Sequence, residues 1–251
     1  MALASLPLAV PPSLANPLDV SRGLLSLSRV RMRVHAQDRL PDTLPLVVVS
    51  NHRSIMDAPL LMSALGRPVR FACHHYMSQV PGLRNVVNAL GCLPLDAPDK
   101  GQTAFFRRAM NVLEDGQAVG IFPEGAAPMV HKTTPDNLNA FQRGFAHLAL
   151  RAPVEELFIV PVAIAAQRET NNSVVPLRWL SMFDASEPLF QQSGWHPAVF
   201  YHEVDVLIGR PVRVDSRLRS RYRSRGASSL ATELAECCEE EIATLLKQGC
   251  H

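Results

Sequence analysis

The chain has 251 residues, 47% of them apolar and 19% charged, with a mean hydropathy near zero and a net charge of +2. That is enough apolar material for one sizeable core, and it excludes a disordered, collagenous or disulfide-framed chain. No run of about 18 apolar residues is present, so no membrane-crossing helix is expected. Met1–Val10 is apolar but lacks a basic leading region and meets Pro11-Pro12, so it does not read as a signal peptide.

Residues 1–17 are proline-rich. From 18 to 35 the residues Val20, Leu24, Leu27, Val30 and Val34 recur at helical spacing, with Arg22, Arg29 and Arg33 opposite. The pattern predicts a basic amphipathic helix that either lies in a membrane interface or packs on the domain, although Arg31 interrupts its apolar stripe. Residues 1–40 are therefore set apart from a single domain over 41–251. The run 44–49 predicts a buried strand. Directly after it comes Ser50-Asn51-His52-Arg53-Ser54-Ile55-Met56-Asp57. Residues five apart diverge by about 140° on one helix, so His52 and Asp57 meet only if the chain turns between them. Ser54 is expected to cap a helix over 55–65 and so make that turn. A carboxylate against an imidazole fixes its tautomer and supports its protonated form, as a general base requires. The same Ser54-x-x-Asp57 spacing also fits a plain capping box.

Further along, the chain predicts strands at 68–74 and 92–95 and helices at 81–90 and 101–113. A strand at 118–122, a helix at 141–150, strands at 157–165 and 199–208, and a closing helix at 227–248 complete the set. The alternation implies an α/β fold, a single-domain sandwich of a largely parallel or mixed sheet flanked by helices. The strand at 118–122 runs into Phe122-Pro123-Glu124-Gly125, a loop shaped to present Glu124 at the sheet end, unless it is only an exposed turn.

The five cysteines form neither a CxxC pair nor an even framework, and reduced thiols in a cytosolic compartment account for them. Cys73-His74-His75 lacks same-face ligand spacing, so no metal is expected there. Seven arginines between Arg210 and Arg225, against Asp215 alone, suit an anionic surface such as phospholipid headgroups or an acidic carrier. Tyr222 is the single aromatic in that run, which argues against nucleic acid.

Taken in order, Asn51-His52-x4-Asp57, Gly91–Asp96, Phe122-Pro123-Glu124-Gly125 and Ile159-Val160-Pro161-Val162-Ala163 resemble the four sequence blocks of the glycerolipid (lysophospholipid) acyltransferase family, and Phe141–Ala146 resembles its helix before the last block. The resemblance implies acyl transfer from acyl-CoA or acyl-carrier protein to a lipid hydroxyl at a membrane surface, peripheral and cytoplasmic, with no cofactor beyond the thioester. His52 and Asp57 would be catalytic; Asn51, Glu124, Gly125, Arg107, Arg108 and Arg143 would bind substrate. No Gly-x-Ser-x-Gly elbow is present, so direct attack by the acceptor is implied. Two positions depart from the pattern: Ala97 stands where the family usually has arginine, and Ala126-Ala127 where it has Thr-Arg. Lys100, Arg107, Arg108, His131, Lys132 or Arg143 would then hold an acceptor phosphate. The acceptor is expected to be lysophosphatidic acid or a related lysophospholipid. The alternatives are a neutral alcohol such as diacylglycerol, or a non-catalytic lipid-binding role.

Overall fold

A computed structural model describes residues 16–42, 45–80, 82–96, 101–125, 133–176, 195–224 and 227–249. Among these residues eight strands form one mixed sheet: β1 (Arg31–His35), β2 (Leu46–Ser50), β3 (Val69–Cys73), β4 (Leu93–Pro94), β5 (Ala118–Ile121), β6 (Leu157–Pro176), β7 (Trp195–Ile208) and β8 (Val212–Val214). Their order is β1-β7-β6-β2-β5-β3-β4, with β8 also on β6. β2 lies parallel to both β5 and β6, and β3 parallel to β5 and β4. β7 and β8 run antiparallel to β6.

Successive strand residues point to opposite faces, and here both faces are covered. Val47 and Val49 join Val119, Ile159 and Ala163 under α4 (Thr103–Glu114), α5 (Gly144–Arg151), α6 (Ser216–Ser224) and α7 (Ala227–Gly249). Leu46 and Val48 join Val160, Val162 and Ile164 under α1 (Pro17–Leu27) and α2 (Asp57–Leu65). This double burial explains why β2 reads as an unbroken apolar run rather than an alternating one. A short α3 (Leu83–Ala89) precedes β4. The α/β sandwich over a mixed sheet is the expected architecture. No helix among the described residues is long and apolar enough to cross a membrane.

The N-terminal helix is shorter than its periodicity suggests. Asn16 caps it by accepting from the Leu18 N–H at 3.0 Å, and it ends at Leu27, with Arg29 in a left-handed conformation at φ 52°. Residues 31–35 form the edge strand β1 on β7 instead. Met32 and Val34 sit half-buried, while Arg33 forks onto Asp205 at 2.6 and 3.0 Å. Arg-Met-Arg-Val-His fits a period of two as well as a helix, and the free edge of β7 decides between them. Leu18, Ser21 and Leu25 bury against the domain, Ser21 reaching Met62 of α2, whereas Leu27 is 75% exposed. Of the expected apolar stripe, Val20, Leu24, Val30 and Val34 pack partly against the core.

β6 runs well past Ala165, because β7 continues to pair with it through the polar stretch Arg168–Ser173. The arginine run becomes β8 and α6. Arg210 pairs with Glu241 and Arg213 with Glu156, while Arg219 donates to the carbonyls of Val154 and Glu155.

Candidate active site

β2 and β5 are adjacent and parallel, with Val49 opposite Ile121, so the segments leaving their C-terminal ends emerge side by side. Ligands of open α/β sheets bind beyond such ends. His52 and Glu124 each follow their strand by only a few residues, and the topology therefore delivers them to one place.

The turn between His52 and Asp57 is tighter than a helix starting at Ile55. The helix begins at Asp57 itself, with Met56 in the capping position. Ser54 still serves the turn: its hydroxyl accepts from the Met56 N–H at 3.2 Å and donates to the Val199 carbonyl at 2.7 Å. Asp57 is fully buried. Its Oδ2 accepts from the N–H groups of Arg53 (2.7 Å) and Ser54 (2.8 Å) and meets His52 Nδ1 at 2.8 Å. Its Oδ1 accepts from the Tyr201 hydroxyl at 2.9 Å. The capping role and the imidazole contact thus coexist in one carboxylate. An ionised carboxylate only accepts, so Nδ1 carries the proton and the Nε2 lone pair is left for another partner. The imidazole is 19% exposed. It stacks on Phe122 at 4.0 Å, and Phe122 stacks on Phe71 at 5.1 Å. Gly120 makes that stack possible, since a Cβ there would come within 2.2 Å of Phe71 Cε1.

Glu124 is buried at 6% exposure, with both oxygens engaged. Oε1 accepts from the His52 N–H at 3.1 Å; Oε2 accepts from Asn139 through its backbone N–H (2.8 Å) and its side-chain amide (3.0 Å). Burial lifts this carboxyl above its ordinary value, opposed by the donors from Asn139 and His52. Gly125 follows with φ 74°, a backbone region that favours glycine. The Gln142 N–H donates to Pro123 and ties the turn to the start of the next helix. Asn51 is 2% exposed and clips β2 to β6, donating to the Ile164 carbonyl at 3.0 Å and accepting from its N–H at 2.8 Å.

The three arginines lie in the helical layer, outside the hydrogen bonds of His52, Asp57 and Glu124. Arg108 is held by the Pro94 carbonyl (2.7 Å) and Asp96 (3.2 Å). Arg143 reaches Ser228 and Thr232 of α7. Arg107 is exposed on α4. Ala97, Lys100, Ala126, Ala127, His131 and Lys132 lie outside the described residues.

Sequence reasoning missed Tyr201, Arg53, Glu169 and Asn139. Arg53, 4% exposed, forks onto Glu169 with two 2.7 Å bonds and also holds Thr133. Burial works to lower this guanidinium, but pairing with Glu169 carries it above its ordinary value. For Tyr201, burial first and the Asp57 charge second push the phenol well above its ordinary value. Arg53 stands inside the motif and was the one available signal. Tyr201, 144 positions from Asp57, offered none.

A buried carboxylate orients a largely covered histidine at the end of a mixed α/β sheet, an arrangement that can take up a proton at Nε2. The profile of the family described as Acyltransferase matches residues 31–165, just over half of the chain, and the protein belongs to that family. It is 27% identical over 136 residues to the chloroplastic 1-acyl-sn-glycerol-3-phosphate acyltransferase of Arabidopsis thaliana, covering 53% of this chain and 36% of that one. It is 22% identical over 149 residues to the 1-acyl-sn-glycerol-3-phosphate acyltransferase of Borreliella burgdorferi, covering 59% and 55%. The chain thus spans about a third to a half of the length of these relatives. The crystal structure of the 1-acyl-sn-glycerophosphate acyltransferase of Thermotoga maritima shares the fold at a TM-score of 0.60 and 17% identity, covering 92% of this chain and 77% of that one. Tyr201 and Glu169 lie beyond the matched stretch.

Proposed function

We propose that the protein transfers an acyl group from a thioester, acyl-CoA or acyl-carrier protein, to a free hydroxyl of lysophosphatidic acid or a related lysophospholipid, working peripherally at a membrane surface. The observation that carries this reading is the 2.8 Å contact between His52 Nδ1 and a fully buried Asp57, which leaves Nε2 as the base. Nε2 takes the hydroxyl proton as the oxygen attacks the thioester carbonyl. The carbon–sulfur bond then breaks, and the imidazolium returns its proton to the departing thiolate. Asp57 supports the imidazolium while its other three donors hold it still. Glu124, through the His52 N–H and Asn139, sets the backbone from which the base projects. The relatives' names support the acceptor class.

The test is to incubate labelled acyl thioesters with a panel of lysolipids and diacylglycerol and to identify products by mass. An acylated lysophospholipid is expected, with the rate reduced about 10²–10⁴-fold in His52→Ala. Thiol release without acceptor would make the protein a thioesterase, and acylated neutral alcohol alone would change the acceptor class. An undiminished rate in folded His52→Ala protein would remove the general base.

A further inference from the structure

Between α4 and α5 lies a groove of about 660 Å³, within the usual range for small-molecule sites. Its apolar walls come from Phe106, Met110 and Pro153, and its charge from Arg107 and Arg151, with His147 beside them; no carboxylate lines it among the described residues. Arg107 is exposed and has no hydrogen bond or ion pair among the described residues. Tyr222 of α6 organises the other two. Its buried hydroxyl accepts from Arg151 Nε at 2.8 Å and lies 2.9 Å from His147 Nδ1. The Arg151 guanidinium also lies 5.8 Å over the Tyr222 ring, leaving its terminal N–H groups for a ligand. Burial, then Arg151 and Arg143, lower His147 below its ordinary value, so the groove's positive charge comes from its two arginines.

The groove is also placed usefully. α4 enters β5 through only three residues, so it runs antiparallel to β5 and its first turn stands at the sheet end that carries His52. From Thr103 to Asn111 the groove descends about 12 Å along the helix, at roughly 1.5 Å per residue. Arg151 closes the far end of α5.

We propose that this groove is a subsite for the phosphate-bearing nucleotide end of a nucleotide thioester donor, with Arg107 and Arg151 on phosphate and Phe106, Met110 and Pro153 against the flat base. The inference rests on the thioester-dependent reading above and makes coenzyme A the donor carrier. An acceptor phosphate sits too few bonds from its reacting hydroxyl to reach that far, whereas the donor's anionic end is joined to its thioester by a long arm. A concave groove with two apolar walls also suits a base and phosphates better than an acidic carrier protein, which would dock on a broad convex basic surface. Guanidinium forks match phosphate oxygens with paired charge-assisted bonds.

Isothermal titration with adenosine 3′,5′-bisphosphate tests the site without turnover. Saturable binding is expected for the parent and for His52→Ala, weakened at least tenfold in Arg107→Gln, whose exposed side chain is not needed for folding. Arg151→Gln should weaken it similarly. In acyl transfer, Arg107→Gln should raise KM for acyl-CoA about tenfold, leaving kcat and the KM values for acyl-carrier protein and acceptor unchanged. No binding by the parent, or binding indifferent to both substitutions, overturns the proposal. So does a KM rise for acyl-carrier protein in place of acyl-CoA, which would make the groove a carrier-docking surface. Bisphosphate binding by a protein that transfers no acyl group would leave the groove standing and remove the function it serves.

Discussion

Tyr201→Phe isolates one bond in the site. The substitution keeps the ring, which is 4% exposed in the core under α2, and removes only the hydroxyl that donates to Asp57 Oδ1 at 2.9 Å. A hydrogen bond to a charged group contributes about 1.5–3 kcal/mol. Both partners are buried, so solvent cannot replace the lost donor, and the upper half of that range applies. At about 2.5 kcal/mol, a domain of this size should melt roughly 5–10 °C lower. Asp57 would still hold the N–H groups of Arg53 and Ser54 on Oδ2, so the His52 contact survives on a carboxylate freer to rotate. We expect kcat to fall about tenfold, which corresponds to about 1.4 kcal/mol of transition-state stabilisation, with both KM values little changed. There is a pH arm as well. The folded phenol is raised well above the ordinary value of about 10, so the unfolded chain loses its proton first. The stability that Tyr201 contributes is therefore complete below that pH and is lost as pH rises through the folded value; Phe removes that slope. Thermal and urea melts from pH 7 to 11, with initial rates over a range of each substrate's concentration, measure all of this. A variant as stable and as fast as the parent would show that the bond does not hold Asp57 in place.

Two further perturbations probe the neighbouring supports. Glu124→Gln puts an amide N–H₂ where a carboxylate oxygen now accepts, against either the His52 N–H or the two Asn139 donors. It should cost about 1–3 kcal/mol of stability and depress kcat more than either KM; a rise confined to the acceptor KM would instead place Glu124 on the acceptor hydroxyl. Gly120→Ala should force Phe71 aside, at about 1–3 kcal/mol, and disturb the Phe71–Phe122–His52 stack, so activity should fall with stability. Parent-like melting and turnover would mean that the strand yields instead of the ring.

The local elements were legible because each is written in a short window. The valines of β2 are apolar on both faces, α4 keeps Phe105, Ala109 and Leu113 on one side, and the Asn51–Asp57 octapeptide announces its turn. The juxtaposition of His52 with Asp57 was legible for the same reason, since five residues and a turn suffice. What required the tertiary structure was every choice settled by a distant partner. Arg31–His35 fits a helix or a strand, and the open edge of β7 makes it a strand. The polar residues 167–173 carry no strand signal of their own and extend because β7 supplies their hydrogen bonds. Glu124 looked like a group offered to a ligand, and only the structure shows that Asn139 and the His52 backbone also donate to its two oxygens. Tyr201 joins Asp57 across 144 positions, a pairing that no periodicity encodes, because only the path of β7 past the start of α2 brings the two together.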